Sequence, residues 1–380
     1  MPKTSNSFLS ILRAEAPVLA GAVTTAIFFT VGKGWADTFS NPAFTAAIFL
    51  WLFAVMIWCA FGVVRHAEAL ADYLGEPFGT LILTISVVSI EVTIMATVML
   101  HGGPNPTLPR DTVFAVMMIV LNGMVGLSVM VGAWRHRAQR YNLEGAVAFL
   151  AVISCLAVIA LVLPTFTTST KGPTLSVLQA TVFGVLTAAL YAGFLGIQTM
   201  RHRSFFAEAV AAGDAGHAGH AKAGHGAGPH YPILLHALLL LLTLLPVVLL
   251  SKPLAHVIDY GIEVLGAPTA LGGVIIAILV LSPEALTSFQ AARRNQLQRS
   301  VNLSLGSALS TIGLTIPTML GISLITGAPL ELGLPPAEVV LLLLSLFIAQ
   351  MTFSGAPTNI LLGAVHLVLF AAFVVLIFNP

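Results

Sequence analysis

Two of the fifteen acidic residues in this 380-residue chain, Glu91 and Glu284, stand inside long apolar stretches with no lysine or arginine beside them. A carboxylate in that setting can hold a cation, carry a proton, or alternate between the two. Left ionised and uncompensated at bilayer depth it costs about 2.5 to 3.5 kcal/mol, so it requires a cavity, a partner or an ion. The two positions are also related. Aligned on their glutamates, FGTLILTISVVSIEV, Phe78 to Val92, pairs with LGGVIIAILVLSPEA, Leu271 to Ala285, matching Gly79 with Gly272 and Ser89 with Ser282. Apolar runs of equal length before each acid read as two copies of one unit.

Several residues near these acids offer further oxygens. Pro283 has no amide to hold the carbonyl of Leu279, and Pro317 leaves that of Gly313 in the same position. Asn122-Gly123 interrupts the corresponding stretch of the first copy. Ser300, Ser304, Ser307, Thr311 and Thr315 recur at steps of three or four, lining hydroxyls along one helical face, with Ser310 beside them. Thr84 lies seven residues before Glu91 and shares its face. The prolines read equally as simple kinks, and the hydroxyl stripe as close helix packing through small side chains. His236 and His366, alone in apolar stretches, read as hydrogen-bonded structural residues, and Cys59 and Cys155 as small core residues outside any CxxC.

The elements that position these groups are membrane helices. Charged residues make up 8% of the chain and hydrophobic ones 57%, with a mean hydropathy of +0.97. A helix crosses the hydrocarbon with about 20 apolar residues. The pattern predicts eleven crossings, an all-α polytopic membrane protein, at 17–32, 43–64, 78–100, 112–134, 145–163, 174–200, 232–250, 268–292, 303–325, 339–354 and 358–378. The first reads as a retained span, since no cleavage site precedes a mature domain. With the N-terminus in the cytoplasm, Lys3, Arg13, Arg65, Arg135, Arg137, Arg140, Arg201, Arg203, Lys222, Arg293, Arg294 and Arg299 fall inside, leaving Lys33, Arg110, Lys171 and Lys252 outside. That bias obeys the positive-inside rule and puts the C-terminus outside.

Residues 207–231, AEAVAAGDAGHAGHAKAGHGAGPHY, carry no apolar periodicity and read as a cytoplasmic tether between two halves. Its His217, His220, His225 and His230 are irregularly spaced, which favours a solvated linker over a metal or pH sensor. The expected organisation is a leading helix within 1–38, a first five-helix repeat at 39–203, the linker at 204–231 and a second repeat at 232–380. Five spans per copy send the copies through the bilayer in opposite senses, the inverted-repeat plan of secondary transporters, with the substrate site where the copies meet.

GEPFGTLILT (75–84) followed by Glu91, LSPEA around Glu284, and NLSLGSALSTIGLTIP (302–317) together resemble the bacterial calcium/proton (sodium/proton) antiporters of the ChaA type, in the cation/calcium exchanger superfamily. The resemblance runs from about Arg65 to the PTNILLGAVHLVLFA end. It implies a sodium/calcium exchanger-like fold of one leading helix plus two inverted five-helix repeats, with gating helices moving past a core. It also implies that Glu91 and Glu284 are the paired acids binding calcium or protons, supported by Asn122 and the serines around Gly306 and Ser307. The GNxxE-like element of the wider superfamily is replaced here by VVSIE and LSPE, which puts Ser89 and Ser282 where amide side chains are expected.

Calcium takes six to eight oxygens, a number that two carboxylates, hydroxyls, carbonyls and water can supply. Burial and mutual repulsion oppose leaving both acids ionised, so protons take the ion's place when it leaves. Exchange of sodium or potassium for protons is the alternative, with a passive cation channel behind it. The transported ions are the partners expected besides the lipid bilayer of a bacterial inner membrane, with no cofactor and no obligate protein partner. There is no concentrated basic surface for nucleic acid. No GxxxxGK[ST] loop, HExxH or GxSG is present, and Thr352-Phe353-Ser354-Gly355 lacks the first glycine of the last motif. A nucleotide-driven pump and an intramembrane hydrolase are therefore disfavoured.

Overall fold

The computed structural model describes residues 14–32, 35, 41–75, 78–101, 105–201, 203–206, 231–264 and 266–379. The histidine-rich tract at 207–230, with His217, His220, His225 and His230, lies outside the described residues. The spans are α1 (Ala16–Thr30), α2 (Pro42–Leu74), α3 (Phe78–His101), α4 (Leu108–Met118) continuing into α5 (Val125–His136), α6 (Leu143–Ala157) into α7 (Leu163–Phe166), and α8 (Val177–Gly196). After the linker come α9 (Ile233–Glu263), α10 (Ala270–Arg293), α11 (Leu297–Ser310) into α12 (Ile316–Thr326), α13 (Pro336–Thr352) and α14 (Ile360–Phe378). Nine spans among the described residues are long and apolar enough to cross a membrane, and α1 and α13 are shorter apolar helices. No strand occurs among the described residues beyond an isolated bridge between Gln139 and Thr358.

Two helices run well past the predicted spans. The apolar stretches of α2 and α9 were expected to end at 64 and 250, whereas the helices continue to Leu74 and Glu263. Hydropathy marks where a helix leaves lipid, and these helices continue into polar surroundings. Two prolines, Pro246 and Pro253, are accommodated inside α9. One outcome is that Glu68, which the span map placed in a loop, is carried on α2. Asp111 was likewise expected outside a span but is buried in the first turn of α4.

Buried side chains form two main cores. One joins α1, α2 and α9 to the inner faces of α3 and α10, through Leu52, Met56, Leu250, Leu254, Ile90 and Leu279. The other gathers α4 to α8 and α11 to α14, with Phe149, Met117, Leu305 and Leu342 at its centre. The two glutamate-bearing helices lie between them. Cys59 is buried as expected, but Cys155 is exposed on the outer face of α6 and is no core residue.

Lipid is as apolar as leucine, so these helices associate by close packing. On α14, a Cβ at Gly363 would stand 2.6 Å from the Met130 amide nitrogen, and on α5 one at Gly126 would stand 2.8 Å from the Cβ of His366. Helix ends are set by capping: the Asn142 side chain accepts from the amides of Glu144 (3.1 Å) and Gly145 (3.4 Å) at the start of α6. Asn142→Ala is expected to cost about 1 kcal/mol. The check is thermal unfolding of the purified protein in detergent, in which Asn142→Asp should retain most of the stability.

Candidate ion-binding site

Glu91 sits a little past the middle of α3, and Glu284 holds the matching place on the oppositely directed α10. They are 1% and 8% exposed, and Glu284 lies within the electrostatic reach of Glu91. Among the described residues neither forms an ion pair with a basic side chain. The Thr311 hydroxyl donates to Oε2 of Glu91 at 2.8 Å. Thr315 stands against the same carboxylate. Oε1 of Glu91, Oε2 of Glu284 and Oγ1 of Thr315 are buried without a hydrogen-bond partner. Leaving such an oxygen unbonded costs about 1 to 3 kcal/mol, more for a charged group. All three are oxygens of the hard kind that a cation takes.

The backbone at this point is irregular. A π-turn, Thr311–Thr315, joins α11 to α12 and turns both threonines toward Glu91. Pro317 follows it at the start of α12. A second π-turn, Ile119–Met124, joins α4 to α5 at the comparable stage of the first half. Such turns inside α-helices occur frequently at functional sites. By contrast α10 is helical through Pro283, so the interruption expected beside Glu284 lies on its neighbour instead.

A cavity of about 250 Å³ reaches Glu284, with Thr84, Ser307, Ser310, Asn302 and Gln198 also on its wall. Its lining comes from the halves of α3, α8 and α11 that face the linker side. Arg299 stands at its mouth, while Phe149, Phe194 and Tyr191 supply its apolar wall. Tyr191 touches Thr84 and packs over the π-turn, where a Cβ on Gly313 would come within 2.6 Å of its ring. None of these aromatics was predicted: an aromatic in an apolar span carries no local signal of lining a cavity. Glu68 on α2 also lies within electrostatic reach of Glu284.

Other predicted site residues are placed elsewhere. Ser89 bonds the carbonyl of Ile85 (2.6 Å), and Ser282 bonds that of Ile278. Two residues before each acid puts them about 200° around the helix, off the ion-facing side. Asn122 is drawn away from the pair: its amide donates to Ser345 (2.8 Å) and its carbonyl oxygen meets Nδ1 of His366 (3.2 Å), whose Nε2 meets Thr352 (2.9 Å). His366 is thus hydrogen-bonded and structural, as is His236, whose ring meets His66 at 3.1 Å. The hydroxyl stripe divides in three. Ser300 and Ser304 close on Ser288 (2.8 and 2.9 Å), which also meets Ser128 (3.3 Å), in a buried packing cluster. Ser307 and Ser310 line the cavity, and Thr311 and Thr315 face Glu91.

Comparison with known proteins places the chain in a family. The chain is 42% identical to the candidate ionic transporter y4hA of Sinorhizobium fredii, over 88% of this chain and 89% of that protein. It is 38% identical to the sodium-potassium/proton antiporter ChaA of Escherichia coli, over 90% and 92%. In fold it is similar to the crystal structure of selenium-substituted YfkE, a Ca2+/H+ antiporter protein, with a TM-score of 0.73 over 97% of this chain and 99% of that one at 18% identity. The architecture is accordingly an exchanger fold of a leading helix and two inverted five-helix repeats. The sodium/calcium exchanger protein model matches residues 44–200 and 235–379, and with that match spanning both glutamate helices, the chain belongs to the sodium/calcium exchanger family.

Proposed function

We propose that this protein exchanges cations for protons across a bacterial inner membrane, calcium foremost, by exposing the Glu91–Glu284 pair to one side at a time. What supports the reading is a pair of buried acids on matching helices of the two halves, within electrostatic reach of each other and without a basic partner among the described residues, one of them on the wall of an internal cavity. The repeats are taken as 39–203 and 232–380, joined by the linker at 204–231, with the N-terminus and linker cytoplasmic and the C-terminus outside. On that orientation the cavity faces the cytoplasm, and the structure represents the inward-facing state.

Charge explains the coupling. Two ionised carboxylates repel in a poorly solvated pocket, and moving them exposed through the bilayer is costly. One calcium ion compensates both, and so do two protons; each occupant excludes the other. Four carboxylate oxygens and the hydroxyls of Thr311 and Thr315 supply six oxygens, the lower end of what calcium takes. With a proton gradient directed inward, exchange expels the cation.

The second reading, sodium or potassium for protons, is favoured by the likeness to the sodium-potassium/proton antiporter of Escherichia coli. A monovalent ion leaves one carboxylate to keep its proton, which halves the charge moved per ion. The deciding measurement is collapse of a preformed proton gradient in everted vesicles at fixed pH. Calcium should act at lower concentration than sodium or potassium. Response to the monovalent ions alone would install the second reading, and silence to all three would end the antiport assignment.

A further inference from the structure

The alignment that matches Glu91 with Glu284 continues without a gap into the next span of each half, where the two π-turns fall in register to within two residues. It sets Val113, Phe114 and Met117 of α4 opposite Gly306, Ser307 and Ser310 of α11. The second trio borders the open cavity, and a Cβ on Gly306 would meet nothing within 4 Å. The first trio is buried, with Phe114 edge-on to Phe373 of α14 at 5.6 Å. On that far side the space beside Phe114, between Asp111, Val274, Glu338 and Phe373, is only about 10 Å³. That is at the lower limit for holding one water.

What closes the far side is a backbone seam. On α10 a Cβ at Gly273 would stand 2.6 Å from both the carbonyl carbon of Asp111 and the amide nitrogen of Thr112 on α4. Backbone cannot give way as a side-chain tip can, so the seam forms at this spacing only with glycine. The first half carries threonine, Thr80, at the matching position.

We propose that the exit half of the ion pathway runs between α4 and α10, that Val113, Phe114 and Met117 are its plug, and that Gly273 is what allows it to shut. This rests on the antiport reading above and assigns the outer gate within it. The two gates then differ in chemistry. The inner route carries the hydroxyls of Thr84, Ser307 and Ser310 beside its apolar wall, whereas the outer one is stopped by apolar side chains that exclude water when packed, a gate by dewetting. A bulky residue at Gly273 should wedge the outer seam and shift the population toward the outward-open state.

The test uses the full chain with Cys59→Ser and Cys155→Ser, in sealed vesicles of either orientation, and a membrane-impermeant thiol reagent. Ser307→Cys should label from the linker side, and Phe114→Cys from neither side. Adding Gly273→Val should make Phe114→Cys label from the far side and slow Ser307→Cys labelling about tenfold, the signature of a shifted two-state equilibrium. Should that variant fail to insert, Gly273→Ala places the same Cβ with less bulk. If Ser307→Cys labels as expected but Phe114→Cys stays silent in the Gly273 variant, the gate assignment is overturned while the inward cavity stands. Exposure of Phe114→Cys with unchanged labelling at Ser307→Cys would mean local loosening and overturn it too. Silence of Ser307→Cys from the linker side, in the parent background, would instead sink the inward-facing reading.

Discussion

Antiport is expected to disappear when either Glu91 or Glu284 is replaced by glutamine. The amide keeps the volume and the hydrogen-bonding capacity of the carboxyl group but neither carries a charge nor exchanges a proton with solvent. A site reduced to one carboxylate leaves a bound calcium ion with a net positive charge that the remaining carboxylate does not neutralise. Removing one member of a buried charge pair costs about 3 to 5 kcal/mol, which is roughly two to four orders of magnitude in affinity. The proton half of the cycle fails for the same reason, because one acid cannot take up two protons. The measurement is cation-induced collapse of a proton gradient in everted vesicles at matched insertion. Folding supplies an independent control. A lone buried carboxylate is no stabilising feature, so the glutamine variants should unfold no earlier than the parent when cation is absent. The parent should gain thermal stability with added calcium as binding to the native state requires, and the variants should gain none. A variant that keeps full exchange activity would remove the basis of the proposed function.

Which parts of this arrangement are legible in the sequence follows from how local their physical signal is. Glu91 and Glu284 are conspicuous because a charge in an apolar stretch has a cost that the stretch itself does not meet. Thr311 and Thr315 are legible as part of a hydroxyl stripe, but their separation from Ser300 and Ser304 is not. The stripe is continuous in the sequence, and it takes Ser288 and Ser128, on other helices, to draw its first part into a packing cluster. Asn122 misleads for the same reason. A polar residue in a membrane span needs a partner, and the partners it has, Ser345 and His366, lie more than 200 residues away in the chain. Ser89 and Ser282 are close to the acids in sequence, but two steps along a helix reach the opposite side, where each bonds a carbonyl of its own helix. The lengths of α2 and α9 escape because Arg65, Glu68 and Asp72 signal the end of the apolar segment and say nothing about the end of the helix. The aromatic wall of Phe149, Tyr191 and Phe194 escapes because nothing distinguishes it, residue by residue, from a lipid-facing one.

Thr311→Val is expected to raise the half-saturating cation concentration roughly tenfold while leaving the maximal exchange rate close to that of the parent, a loss of about 1.4 kcal/mol. Valine has the shape of threonine, so packing within the π-turn is preserved and the change is confined to one hydroxyl. That hydroxyl donates to Glu91 in the empty site at 2.8 Å, and the oxygen is placed to serve as a neutral ligand once an ion arrives. Without it the bonded oxygen of Glu91 joins Oε1 in being buried without a donor, and the ion loses one of six nearby oxygens. A hydrogen bond to a charged group contributes about 1.5 to 3 kcal/mol, part of which is recovered because the ion itself then satisfies the carboxylate. Thr311→Ser, which restores the oxygen and removes a methyl group, should return the half-saturating concentration to within about a factor of three of the parent. The contrast between the two variants is what isolates ligation. If the position mattered only for packing, valine would be harmless and serine, which opens a methyl-sized void beside Glu91, would be the damaging change.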